Sequence, residues 1–135
     1  MTITEYFAQD SFAKMLGAKV LEISEGFAKI SLIVTSSHIN AYGICHGGVM
    51  FSLADIAFAA AVNSHDVVTL TTGGNISYFY PVHLGDQLNA EANEIIDHHH
   101  LPFAEVRITN QSGTLVALFT ASGYRKDMLE LDRSI

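Results

Sequence analysis

His46-Gly47-Gly48 and Asp55 are the residues of this chain whose types and spacing could do chemistry. The glycine pair stands where a polar connection, TSSHINAYGICHGG, runs into an apolar segment. The first turn of a helix leaves backbone N–H groups without partners and carries a partial positive charge. Glycine lets a ligand atom come close to those groups. Such a turn can stabilise the oxyanion of acyl transfer, which makes Gly47 and Gly48 candidate site residues, or it can be no more than a tight helix start. From Val49 to Val62 everything is apolar except Ser52 and Asp55. A carboxylate there is costly unless it is hydrogen-bonded or reaches a solvated cleft, and desolvation makes a carboxylate a stronger base. Ser52, three residues earlier, shares its helix face and becomes a candidate neighbour in one pocket. The alternative is a structural aspartate satisfied by backbone donors.

Helix geometry links the two features. Gly47 and Asp55 are eight positions apart, which is ~12 Å along a helix and ~80° around it. A general base and an oxyanion donor must both lie within ~3 Å of the reacting group. One copy of the helix cannot supply both. If both act on one substrate, Asp55 of one subunit faces Gly47 of another, and a symmetric dimer holds two equivalent shared sites.

Other candidates are weaker. Cys45 and His46 are adjacent and do not point at each other as a dyad must. Ser52 lacks the G-x-S-x-G elbow of a hydrolase serine. Asp97-His98-His99-His100 invites a metal reading, but consecutive histidines converge poorly on one ion, so no metal is expected. Tyr78-Phe79-Tyr80 reads as sheet core, with a solvent-side ring free to line a pocket.

These residues need elements to hold them. With 135 residues, 49% of them hydrophobic and 16% charged, the chain fits one domain, residues 1–135, with a core of its own. A single amphipathic helix is expected over Thr4–Leu16, stopped by Gly17. Two strands joined at Glu25-Gly26 follow, then a buried helix from about Gly48 to Ser64. About four strands come next. The first contains Gly73-Gly74, a sign of a bulge or a close backbone approach. In the second the alternation Leu88, Ala90, Ala92 slips at Ile95-Ile96. Ala104, Val106 and Ile108 form the next inward row, and Leu115, Ala117, Phe119 and Ala121 the last. One helix too apolar to face water, with five or six antiparallel strands, makes an α+β domain in which the sheet wraps the helix.

Bulk properties exclude several functions. A net charge of −7 without a basic cluster argues against nucleic-acid binding. The apolar run is too short to cross a bilayer, and the N-terminus has no signal-peptide pattern. With the single Cys45 leaving no internal disulfide, a cytoplasmic protein is expected.

The tract Asn40-Ala41-Tyr42-Gly43-Ile44-Cys45-His46-Gly47-Gly48, followed by Ser52-Leu53-Ala54-Asp55 and Ala57, resembles the signature of hotdog-fold acyl-CoA thioesterases. Within these it is most similar to the PaaI-type, phenylacetate-degradation branch. Leu16-Gly17, Asn75-Ile76-Ser77-Tyr78 before Pro81, and Gly85-Asp86 fall where that family places similar residues. The resemblance implies a long central helix wrapped by an antiparallel sheet, and homodimers with shared sites that pair into dimers of dimers. It also implies hydrolysis of acyl-CoA thioesters, with coenzyme A part of the substrate and no cofactor. Carried over, Asp55 activates water, or less simply acts as nucleophile. The partner's Gly47 N–H holds the oxyanion, and Asn40 and His46 orient the thioester or water. Thr71 or Thr72 would stand beside Asp55. Phe51, Phe58 and the Tyr78–Tyr80 aromatics are candidate walls for an aromatic or medium-chain acyl group. Arg125 and Lys126 are candidate partners for the phosphates of coenzyme A. Two other readings are a hotdog protein that binds acyl-CoA without turnover, as sensor or partner subunit, and a hotdog hydratase or dehydratase.

Overall fold

A computed structural model describes residues 2–126 of the chain. It begins with two short helices in place of the single one expected. α1 (Ile3–Phe7) opens on a capping box between Thr2 and Glu5. α2 (Ser11–Leu16) starts afresh because Asp10 Oδ1 accepts the Ala13 N–H at 3.0 Å, and a capping carboxylate begins a new helix. Gly17 ends α2 in the left-handed region at φ 91°.

β1 (Lys19–Ser24) and β2 (Phe27–Ile33) form the expected hairpin through Glu25-Gly26. A 3-10 turn, Ser36–His38, leads to the central helix α3 (Gly47–Val62). β3 (Thr69–Tyr78), β4 (Gln87–Ile96), β5 (Phe103–Thr109) and β6 (Leu115–Arg125) complete the chain order. All six strands join one antiparallel sheet in the order β1-β2-β4-β5-β6-β3. α3 lies across its inner face against β2 to β6. This is the expected α+β wrap, with six strands.

The core is made by facing rows. Leu53, Ala54, Ala57, Phe58, Ala60, Ala61 and Val62 of α3 are fully enclosed. So are Ala28 and Ile30 of β2, Ala90 and Ala92 of β4, and Ala104, Val106 and Ile108 of β5. The many alanines let helix and sheet backbones approach closely. Gly47, Gly48, Phe51, Ser52, Asp55 and Ala59 form the stripe of α3 that the sheet does not cover. Asp55 is therefore beside the core and not inside it.

Two irregularities fall where expected. The β4–β5 register breaks between Glu94 and Ile96, which is the phase slip at Ile95-Ile96. The β3–β6 register breaks between Thr71 and Gly73. The two edge strands differ in chemistry. β1 carries Lys19 and Glu22 and is itself bulged, whereas β3 spans 10 residues without a charge. Among the described residues no helix is long and apolar enough to cross a membrane.

Gly74 is the tightest point of β3. A Cβ there would lie 2.7 Å from Phe119 Cζ. The Phe119 ring is fully buried and held edge-on between Phe51 and Phe58, with centroids 5.2 and 6.5 Å away. Gly74→Ala is expected to cost ~1–3 kcal/mol through overpacking, read as a lower urea midpoint at unchanged slope. At Gly73 the added atom meets only Ser122 Oγ, at 3.9 Å. Gly73→Ala should stay within about 0.5 kcal/mol of the parent.

Candidate active site

The turn before α3 is assembled by side chains that bond backbone. His38 is buried; its Nδ1 accepts the Thr35 N–H at 2.9 Å and its Nε2–H donates to the Leu16 carbonyl at 2.7 Å. That pairing makes the ring the neutral Nε2–H tautomer. The His38 carbonyl accepts the His46 N–H at 2.8 Å, Ile39 bridges Cys45, and Asn40 N–H reaches the Ile44 carbonyl at 2.8 Å. Asn40 Oδ1 accepts the N–H groups of Tyr42 and Ile44 at 2.9 and 3.3 Å. Its Nδ2 amide has no partner among the described residues. Cys45 is buried, and burial with the charge of Asp86 pushes its thiol up to about 11. It is a protonated core thiol and forms no dyad with His46.

His46 caps α3, its Nδ1 accepting the Gly48 N–H at 2.8 Å. The histidine thereby takes the Gly48 N–H, so any part Gly48 has in binding does not use that donor. The Gly47 N–H, in contrast, makes no hydrogen bond among the described residues. Above it stands Tyr78, whose O–H donates to the Gly47 carbonyl at 2.7 Å. A Cβ on Gly47 would lie 3.0 Å from Cζ and Oη of that phenol, so any larger residue there requires the ring to give by a few tenths of an ångström.

Two turns along α3, Asp55 Oδ1 accepts the Thr71 hydroxyl at 2.9 Å, and Oδ2 has no partner among the described residues. The bulge separates the two threonines. Thr71 turns to the helix, whereas Thr72 Oγ1 donates to the Ser122 carbonyl at 3.1 Å and does not accompany Asp55. Ser52 lies on the same open stripe without a side-chain hydrogen bond among the described residues. Phe51 is part-exposed beside it. Phe58 is fully enclosed and belongs to the core, not to a pocket wall.

The aromatics that end and follow β3 are exposed and are not sheet core. With Asn40, Gly47 and Met50, residues Tyr78, Phe79 and Tyr80 line a cavity of about 400 Å³ beside the turn. Sequence reasoning singled out this aromatic run but missed Tyr78 as a neighbour of Gly47. No local signal carries that contact, which joins residues 31 positions apart.

Arg125 is a further correction. It continues the inward row Ala117, Phe119, Ala121, Gly123 of β6 and is 7% exposed. Its guanidinium bonds Glu94, Asp97 and the His98 carbonyl, so it is not a surface cation for phosphates. His65, Glu94 and Asp97 are the one group with metal-ligand spacing among the described residues. Arg125 already supplies the positive charge between both carboxylates. His98, His99 and His100 stack in a row that ends on Tyr124.

The thioesterase superfamily matches residues 42–117. Acyl-coenzyme A thioesterase PaaI of Escherichia coli is 35% identical over 119 residues, covering 88% of this chain and 85% of that protein. The solved structure of the E. coli PaaI protein, from the phenylacetic acid degradation operon, superposes with a TM-score of 0.88 at 34% identity, covering 90% of this chain and 88% of that one. A mutant of the phenylacetic acid degradation protein PaaI of Thermus thermophilus gives 0.84 at 33% identity, covering 87% and 100%.

The Arg125 network predicts a stability effect without a binding effect. Arg125→Met strips the buried Glu94 carboxylate of the guanidinium, leaving it only the His65 ring at 2.6 Å, and should cost about 3–5 kcal/mol in chemical denaturation, with KM for an acyl-CoA ester unchanged. The Arg125 hydrogen bond holds the Asp97 carboxyl below the ordinary aspartate range. Its contribution is full above that range and is lost as pH falls through the lowered value. The variant should lack this loss on the acid side.

Proposed function

Because the chain belongs to the thioesterase superfamily, we propose that it hydrolyses acyl-CoA thioesters to a free acid and coenzyme A. The observation that carries this reading is the pair of unfilled groups on α3. One is an acceptor, Asp55 Oδ2, beside a carboxylate oxygen fixed by Thr71. The other is a donor, the Gly47 N–H, at the positive end of a 16-residue helix. Separated by two turns, they cannot meet one substrate within one chain, and they complete each other across a two-fold axis.

In this mechanism Asp55 Oδ2 takes a proton from water as its oxygen adds to the thioester carbonyl. The oxyanion develops against the Gly47 N–H of the partner subunit. Asn40 Nδ2–H and His46 Nε2–H, from that same turn, orient the carbonyl. Collapse breaks the C–S bond, and the proton held by Asp55 passes to the coenzyme A thiolate. Water and thioester thus give acid and thiol in balance. No metal or further cofactor takes part.

Two copies would pair along β3. It is the uncharged edge, and its unpaired N–H and C=O groups form a template for another strand. Antiparallel pairing there reverses one α3 against the other, setting the start of one beside the middle of its partner. Dimers then associate in pairs, in the cytoplasm. The aromatic cavity beside Gly47 favours an aryl or medium-chain acyl group.

Thiol release from a panel of acyl-CoA esters tests the reaction. Asp55→Asn should lower kcat by about 10²-fold or more with little change in KM. Release unaffected by the substitution removes Asp55 as base, and tight binding without release from any ester moves the protein to a non-catalytic binder. Mixing Gly47→Ala with Asp55→Asn subunits tests the shared site. Random pairing should restore about a quarter of the sites and isolated mixed dimers about half. No recovery in verified mixed dimers refutes the cross-subunit arrangement.

A further inference from the structure

We propose that Tyr78 is a positioning residue for the oxyanion turn, gripping the peptide unit between Gly47 and Gly48 together with His46. The proposal deepens the thioesterase reading and rests on it. The Tyr78 O–H donates to the carbonyl of that unit at 2.7 Å. The N–H of the same unit donates to His46 Nδ1 at 2.8 Å. One peptide plane is thus held at both ends, and a chain runs from the phenol through the peptide to the imidazole. Hydrogen bonds in such a chain polarise one another.

Two consequences follow for the chemistry. Fixing this plane fixes the backbone torsions of Gly47, which aim the N–H on its other side at the substrate. A glycine in that position has no Cβ to restrict it, so the restraint has to come from outside. The Tyr78 hydroxyl provides it by bonding the Gly47 carbonyl, with the phenol 3.0 Å from where a Cβ would stand. Secondly, His46 Nδ1 is kept as an acceptor, so the ring proton resides on Nε2, and Nε2–H is the donor left for the thioester. Burial raises the Tyr78 phenol above the ordinary tyrosine range. It remains a donor through the working pH. Tyr78 is anchored for this task by its place at the end of β3, paired with Ala117 of β6.

Tyr78→Phe removes the hydroxyl and keeps the ring. Thiol release should show kcat about tenfold lower, with KM within about twofold and the melting temperature little changed. In ¹⁵N NMR of the free protein, His46 should be a single Nε2–H tautomer in the parent and a mixture in the variant. An unchanged kcat, or a change confined to KM, overturns the proposal. So does a lower kcat with the tautomer intact, because the effect then does not pass through the gripped peptide. If the parent releases thiol from no ester, the thioesterase reading fails. The NMR comparison still decides whether Tyr78 sets the turn.

Discussion

The sheet can close on α3 only where the helix offers small or complementary side chains, and that contact decides where everything else lies. Ala54, Ala57, Ala60 and Ala61 bring the helix backbone close to the strands, while Leu53, Phe58 and Val62 fill what remains. Interiors are packed as densely as organic crystals, so rotating α3 by even a fraction of a turn would open voids on one side and clashes on the other. The stripe from Gly47 through Phe51 and Asp55 to Ala59 is therefore open by exclusion. A carboxylate on that stripe meets Thr71 of the edge strand and space beyond, which is why it tolerates an otherwise apolar helix.

The turn before α3 follows a second constraint, the need of every enclosed backbone group for a partner. His38, Asn40 and His46 each use ring or amide atoms on backbone N–H or C=O groups within residues 16–48. After this internal pairing, the Gly47 N–H, Asn40 Nδ2 and His46 Nε2 are left without a partner among the described residues. The acceptor that remains is two helical turns away on Asp55. Donors gathered at one place suit a carbonyl that gains negative charge, and an isolated carboxylate oxygen suits a water that loses a proton. The separation of the two is what asks for a second chain.

Much of this was legible from periodicity. The alternating rows of β4, β5 and β6, the slip at Ile95-Ile96, the bulged glycine strand and the apolar helix all follow from side chains taking sides every two or 3.6 residues. The same rule extended by two steps would have placed Arg125 on the inner face; its charge suggested the surface, and Glu94 and Asp97 provide the burial partners that a linear pattern does not reveal. The single helix expected over Thr4–Leu16 divides at Asp10 because a cap and a solvated polar position look alike in sequence until the Ala13 N–H is seen to reach the carboxylate. Thr71 and Thr72 could not be told apart because a bulge shifts the alternation by one, and a single-residue shift exchanges the faces of a strand. Contacts such as Tyr78 with Gly47 depend on where an edge strand ends relative to a helix start, which no local rule supplies.

The two ends of α3 make the strongest argument about where function lies. At its C-terminus three of the last four carbonyls are met by side chains: Asn63 Nδ2 bonds the Ala59 carbonyl, Ser64 Oγ bonds that of Ala61, and Thr69 Oγ1 reaches that of Val62. Ser64 Oγ also accepts the Gly26 N–H, and Asn63 Oδ1 the Thr69 N–H, tying the helix end to two strands. At its N-terminus Gly48 and Val49 are paired with His46 in the same way. Terminal helix groups are met by side chains, water or ligands, and at Gly47 the side chain at hand is Tyr78. Tyr78 stands against this residue yet bonds its carbonyl, leaving the N–H open beside a cavity. A fold that spends three side chains on the far end of the helix leaves this donor open where glycine lets a ligand atom reach it.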